Sequence, residues 1–259
     1  MMKTVWLTAL EKTEQPVQMV AARLARYGLK VDGHLWTDDL ANFAWIAARD
    51  EVVRARAAIW LILTGEGGLQ SDSVRYGLSL FALALRAQAE ISPATVLISS
   101  GARTISAVEL PTPLAGAAII TTDTPSWEAK LVALANLRPA AAVAEYRLDA
   151  YGDQRIGQWF ELGPRDESWN GALFGVAGGA INLHAAGGRG KIPDRTVLNF
   201  PQMGLRLTMG AKEFCAWAVR NQLGPNDSYF VRVEGSPDAI LFGPYAEADA
   251  AELFVHRLK

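Results

Sequence analysis

The first part of the chain alternates short apolar runs with segments of helical hydrophobic spacing. Apolar residues recur at helical spacing over 15–27, and Gly28 follows where a helix C-cap glycine belongs. The run AAIWLILT over 57–64 is almost continuously apolar, as a central parallel strand covered on both faces must be. The same patterns predict strands at 4–10, 30–36, 57–64, 95–99 and 117–121, and helices at 15–27, 39–54, 71–90 and 126–137.

Five strands that alternate with helices predict parallel strands joined by right-handed crossovers. Asp39 or Asn42 is expected to cap the second helix, and Ser126 the fourth, because short polar side chains accept hydrogen bonds from the first backbone N–H groups. The pattern therefore predicts a flavodoxin-like, doubly wound α/β domain over residues 1–138, with a five-stranded parallel sheet of order 2-1-3-4-5.

After Pro139 the pattern changes to short β-type runs separated by Gly, Pro, Asn and Asp turn signals. The runs predict strands at 146–150, 156–162, 171–176, 180–184, 196–200, 205–209, 229–234 and 239–242, with helices at 211–222 and 246–258. The second half, 143–259, is therefore predicted to be a β-rich α+β domain built on antiparallel strands.

Composition excludes several partners and chemistries. The chain has 25 Lys and Arg against 27 Asp and Glu, a net charge of −2 that argues against a nucleic-acid partner. One Cys and three separated His give no expectation of a disulfide or a zinc site, and no cofactor is expected. The longest apolar runs are far short of the roughly twenty residues of a membrane helix, and no signal peptide is recognisable. We expect a cytoplasmic protein without a membrane partner; its Ala and Arg content is typical of bacterial proteins.

In an open α/β sheet, ligands bind at the carboxyl ends of the strands near the topological switch point. For the predicted order this point lies between the first and third strands. The residues that this places at the site are Thr8, Glu11, Thr64, Gly65, Glu66, Ser71, Ser73, Ser99, Gly101 and Arg103. They offer hydroxyl, carboxylate and guanidinium groups, and backbone N–H groups at the start of the third helix could hold an anion. We therefore expect a nucleotide or nucleoside ligand.

Three specific chemistries lack their motifs in this sequence. A phosphoacceptor site needs acidic residues after the first and third strands, which end in Thr8-Ala9-Leu10 and Leu63-Thr64. The loop that begins at Leu10 has two acids and no Gly, unlike an FMN phosphate loop. Gly190-Lys191 is followed by Ile192 and has no Gly five residues earlier, so it is not a Walker loop.

The segment 45–85 resembles two related groups, TIR domains and nucleoside 2-deoxyribosyltransferase-like proteins. In both, an apolar strand leads to a Ser-containing turn and a helix with a carboxylate that acts on an N-glycosidic bond. Here the stretch is Ser73-Val74-Arg75-Tyr76-Gly77-Leu78. The resemblance implies the same fold and a nucleotide-type ligand for the first half of the chain.

The chain departs from both groups at the carboxylate. The equivalent position is Arg75 or Tyr76, and no Glu occurs between Glu66 and Glu90. We therefore expect a non-catalytic module that binds a nucleotide or a protein partner, with the second half as a further binding or homodimer surface. One alternative is an enzyme that cleaves N-glycosidic bonds using Glu66 or Asp72. The other is a purely structural or interaction protein.

Overall fold

The computed structural model describes residues 2–88, 93–100, 105–137, 144–245 and 252–259. The chain divides into two compact units, Met1–Ala141 and Ala142–Lys259. Each unit has its own sheets and its own buried apolar residues, and the two are described separately below.

The first unit is a doubly wound sheet of five parallel strands. The strands are β1 (Thr4–Ala9), β2 (Lys30–Leu35), β3 (Ile59–Thr64), β4 (Ala94–Ser99) and β5 (Ala118–Thr121). The helices are α1 (Glu14–Arg26), α2 (Ala44–Arg54), α3 (Asp72–Ala87) and α4 (Trp127–Asn136), with short 3₁₀ turns at Ala107–Glu109 and Thr112–Leu114. The strand order is β2-β1-β3-β4-β5, and all four pairings are parallel. The predicted flavodoxin-like fold class is confirmed.

Strand β3 is the central strand of this sheet, and both of its faces are covered. All six of its residues are buried. Ile59, Leu61 and Leu63 pack on one face with buried residues of α1 and α4. On the opposite face the ring centroid of Trp60 lies 4.7 Å from that of Phe81 in α3. Helices thus cover both sides of the sheet, as parallel strands require.

Helix ends agree with the predictions only in part. Gly28 has a φ of +77°, and its N–H donates to the Ala25 carbonyl, so it ends α1 as predicted. The predicted cap of α2 is wrong, because left-handed Phe43 precedes the helix, whereas Asp39 accepts the N–H of Asn42 in the turn before it. Ser126 precedes α4, but its side chain makes no capping hydrogen bond.

The second unit consists of two antiparallel sheets. Its strands are β6 (Tyr146–Asp153), β7 (Gly157–Pro164), β8 (Ala172–Ala177), β9 (Ala180–Gly188), β10 (Gln202–Met209), β11 (Lys212–Val219), β12 (Asp227–Glu234), β13 (Ala239–Pro244) and β14 (Phe254–Arg257). One sheet has the strand order β6-β7-β12-β9, and the other has the order β10-β11-β8-β13-β14. Aromatic residues join the sheets face to face. The ring centroids of Phe160 and Phe174 are 5.2 Å apart, and the Tyr146 hydroxyl lies 2.9 Å from His256 Nε2. The predicted β-rich, antiparallel character of this unit is confirmed.

Three elements predicted for the second unit are wrong within the described residues. The helix predicted at 211–222 is strand β11, because Phe214, Ala216 and Ala218 alternate on one buried face and the strand pairs with β10 and β8. The segment 246–258 was predicted to be a helix, but its described part contains strand β14; residues 246–251 lie outside the described residues. The segment 196–200 is not a strand; the Thr196 hydroxyl bonds the backbone of Ala186 instead.

Candidate functional site

The loops that follow β1, β2 and β3 meet at the carboxyl edge of the first sheet. The strand pairing continues past the ends of the strands and aligns these loops. The N–H of Leu10 donates to the Leu63 carbonyl at 2.9 Å, and that of Trp36 donates to the Ala9 carbonyl at 2.8 Å. The sequence placed the switch point of the sheet at this edge, and the observed strand order puts it there.

Glu11 reaches from the loop after β1 into the loop after β3. Its Oε1 atom accepts hydrogen bonds from the backbone N–H groups of Gly67 and Gly68, at 3.3 and 3.1 Å. We call the two N–H groups of Gly67 and Gly68 the amide cradle. The cradle therefore holds a carboxylate that belongs to the chain itself.

Two glycines allow this close approach of the loops. A Cβ at Gly65 would lie 2.2 Å from Glu11 Oε2, and one at Gly68 would lie 2.6 Å from Thr64 Oγ1. Contacts this short do not occur between a real Cβ and an oxygen atom. The absence of side chains at Gly65 and Gly68 therefore leaves the space that the end of the Glu11 side chain and the Thr64 hydroxyl occupy.

The beginning of α3 carries a chain of polar side chains. Ser71 Oγ lies 2.7 Å from Ser73 Oγ, and the Ser73 hydroxyl donates to the carboxylate of Asp38. Asp38 and Ser71 are exposed. The loop after β2 thus supplies a carboxylate to the site. The loop after β2 was not among the predicted site segments, so Asp38 is a candidate site residue that the prediction missed.

Arg75 holds the loop before α3 in shape. Its guanidinium donates to the carbonyl oxygens of Leu69 and Gln70, at 2.6 and 3.0 Å, and forms an ion pair with Asp72. The Gln70 side chain in turn donates to the carbonyl of Glu66 at 3.0 Å. The carboxylate of Asp72, one of the two candidate catalytic acids, is therefore engaged by a neighbouring cation.

The structure brings only some of the predicted site residues together. Glu11, Gly65, Ser71 and Ser73 belong to the contacts described above, and Glu66 is exposed in the same loop. Of the other predicted residues, Thr8, Thr64 and Ser99 are buried, with at most 1% of their surface exposed. Gly101 and Arg103 lie outside the described residues. The Thr8 hydroxyl accepts the indole N–H of Trp60, and that of Thr64 donates to the carbonyl of Gly65.

His34 is the single histidine of the first unit and lies in β2. Its Nδ1 atom accepts the indole N–H of Trp6 at 2.8 Å, and its ring lies among those of Trp6, Trp36 and Phe81. Burial lowers the pKa of His34 to about 4. The imidazole is therefore neutral at pH 7 and, since Nδ1 is the acceptor, carries its proton on Nε2.

The second unit has a buried polar cluster of its own. The carboxylate of Glu161 accepts the N–H of Gly190 at 2.8 Å and the hydroxyl of Ser228 at 2.7 Å, and lies 3.8 Å from the guanidinium of Arg147. Arg147 also donates to the carbonyl oxygens of Pro164 and Asp227. Because each buried charge has several partners, the cluster has the character of a structural network that joins neighbouring strands.

Comparison with known protein sequences adds no relationship. No protein-family model matches the chain, and no curated protein is similar to it in sequence. Within the described part of the chain, no three His, Cys, Asp or Glu side chains are grouped in a way that could hold a metal ion. None of the helices that the structure describes is both long and apolar enough to cross a membrane.

Proposed function

We propose that the first unit is a non-catalytic module that binds a nucleoside or nucleotide at the carboxyl edge of its sheet. The observation that carries this proposal is the hydrogen-bonded chain from Ser71 through Ser73 to Asp38, which joins two loops at the switch point. A carboxylate beside two hydroxyls can accept the hydroxyl groups of a sugar, and the serine hydroxyls can donate to its oxygen atoms.

The charge of these loops favours a ligand rich in hydrogen-bond donors. The segments 10–13, 37–42 and 64–75 carry the acids Glu11, Asp38, Asp39, Glu66 and Asp72 against the bases Lys12 and Arg75. An excess of carboxylates attracts hydroxyl donors and repels anions. The ribose of a nucleoside matches this surface better than a polyphosphate does.

The lack of an available acid on α3 supports binding without catalysis. Cleavage of a glycosidic bond needs a carboxylate that attacks or stabilises the sugar carbon. Asp72 is the single acid of α3, and it is paired with Arg75. Glu66 lies outside the helix, in the preceding loop.

The proposal is tested by titrating the protein with adenosine, AMP, ADP-ribose and NAD and recording thermal stability and amide NMR shifts. We expect at least one of these compounds to bind and stabilise the protein. Asp38→Asn should lower the affinity for that compound about tenfold, since a charge-assisted hydrogen bond is lost. Asp50→Asn is the matched control, because Asp50 is an exposed acid on α2. The absence of binding by all four compounds would contradict the proposal.

The same samples separate binding from N-glycosidic bond cleavage. A catalytic protein would release nicotinamide from NAD or adenine from adenosine, and Glu66→Gln or Asp72→Asn would abolish that release. We expect no release from the wild-type chain. That the second unit provides a further binding surface or a homodimer surface stays a prediction. Sedimentation at several protein concentrations tests for the homodimer.

A further inference from the structure

The amide cradle at the switch point holds an anionic group in the form of the Glu11 carboxylate. Two consecutive backbone N–H groups that converge on one oxygen form the kind of concavity that binds phosphate and carboxylate ions. Both N–H groups point to Glu11 Oε1 in this structure. A phosphate that approached the cradle would have to replace Glu11, because the same two donors would serve both.

The position of Glu11 is built into the packing of the loop. A side chain at position 65 would place its Cβ 2.2 Å from Oε2 and 2.8 Å from Oε1 and the carboxyl carbon of Glu11. Gly65 thus leaves the space that the carboxylate fills. The hydrogen bond between the Gly68 N–H and Glu11 joins residues 57 positions apart in the sequence, so tertiary folding brings the acid to the cradle.

Glu11 affects an incoming anion in two ways. Its Oε1 atom occupies the N–H donors that an anion would need, and its negative charge repels that anion across a distance of a few ångströms. A neutral ligand is not repelled by the Glu11 charge and does not need the N–H donors of the cradle, so neither effect hinders its binding to Asp38, Ser71 and Ser73 at the same edge of the sheet. These two effects act in the same direction, in favour of uncharged ligands.

We propose that Glu11 determines ligand specificity by occupying the amide cradle, so that the site accepts an uncharged nucleoside and excludes phosphorylated compounds. The nucleoside part of this statement rests on the function proposed above. The exclusion of anions rests on the contacts of Glu11 alone, so the two parts can fail separately.

Isothermal titration of the full chain with inorganic phosphate, adenosine and AMP tests the proposal. We expect the wild-type chain to bind inorganic phosphate and AMP about tenfold or more weakly than Glu11→Ala does, since the variant exposes two N–H donors and removes one negative charge. Binding of phosphate to Glu11→Ala should shift the amide NMR signals of Gly67 and Gly68. The control Glu14→Ala removes an equal charge from an exposed position on α1 and should leave phosphate binding at the wild-type level.

Two further variants separate charge from occupancy. Glu11→Gln keeps an oxygen that can fill the cradle but removes the charge, so it should bind phosphate more tightly than wild type and more weakly than Glu11→Ala. Gly65→Ala should displace the flexible end of Glu11 from the cradle but keeps its charge, so this variant too should bind phosphate more tightly than wild type and more weakly than Glu11→Ala. Circular dichroism of each variant checks that the chain is folded.

Each pattern of results has one meaning. Equal phosphate affinity in the folded wild-type, Glu11→Ala and Gly65→Ala chains would overturn the role of Glu11, and adenosine binding would then still support the function proposed above. A gain in phosphate binding without adenosine binding to any chain would support the exclusion of anions by Glu11 and overturn the proposed nucleoside function.

Discussion

At the residue scale, the hydrogen bond from the Trp60 indole N–H to the Thr8 hydroxyl lies wholly inside the first unit and is 2.9 Å long. Thr8→Val keeps the shape of the side chain but leaves the buried N–H without an acceptor. We expect the free energy of unfolding to fall by about 1–3 kcal/mol. Urea denaturation measures this, with Thr8→Ser as a control that retains the hydroxyl. If Thr8→Val were as stable as wild type, the hydrogen bond would contribute nothing.

His34 makes the stability of the first unit depend on pH. Its pKa is 6.5 in an unfolded chain and about 4 in the folded unit, because burial disfavours the charged imidazole. Between these values the unfolded state binds more protons, so the free energy of unfolding falls as the pH drops from 6.5 to 4, by up to about 3 kcal/mol. Urea denaturation at pH 7, 5.5 and 4.5 measures this dependence.

A substitution isolates the contribution of the imidazole. His34→Asn keeps an oxygen near the position of Nδ1, which can accept the Trp6 N–H, but it has no group that titrates in this range. The decrease in stability between pH 6.5 and 4.5 should therefore be smaller in the variant. An identical pH dependence in both chains would mean that other groups are responsible.

At the element scale, helix α3 depends on a glycine for its packing. A Cβ at Gly77 would lie 2.7 Å from Trp36 Cζ2 and 3.2 Å from Leu40 Cδ2. In a helix interior, alanine has a helix propensity about 1 kcal/mol more favourable than that of glycine. Gly77→Ala nevertheless should lower the free energy of unfolding by about 1–3 kcal/mol, since an overpacked core strains its neighbours.

Gly116→Ala is the matched control for this substitution. No heavy atom lies within 4 Å of a Cβ at Gly116, and its φ is not in the left-handed region. The free energy of unfolding of Gly116→Ala should stay within about 0.5 kcal/mol of that of the wild-type chain. If denaturation showed both variants equally stable, the contact between α3 and Trp36 would tolerate the added methyl group.

The elements that the sequence predicted well are those with a single consistent hydrophobic spacing. The apolar run of β3 has no polar face, and α1 ends at Gly28, where a left-handed φ is needed. Strand β11 differs, because the spacing of Phe214 and Trp217 also suits a helix. Pairing with β10 and β8 on its two sides decided in favour of a strand.

At the scale of the whole molecule, the two units have separate cores. The first unit buries its apolar residues on the two faces of a parallel sheet, and the second buries aromatic residues between antiparallel sheets. We expect fragments 1–141 and 142–259 each to fold when expressed alone, with dispersed amide NMR signals and a cooperative unfolding transition. A disordered fragment would contradict this prediction.

The sequence by itself determined the parallel sheet of the first unit, its strand order and the position of its topological switch point. These features follow from local hydrophobic spacing and from general rules of chain connection. Only the tertiary structure decided which polar groups meet at that point. The contacts of Glu11 with Gly67 and Gly68, and of Ser73 with Asp38, join residues far apart in the chain. Such contacts depend on loop packing, for which local sequence contains no periodic signal.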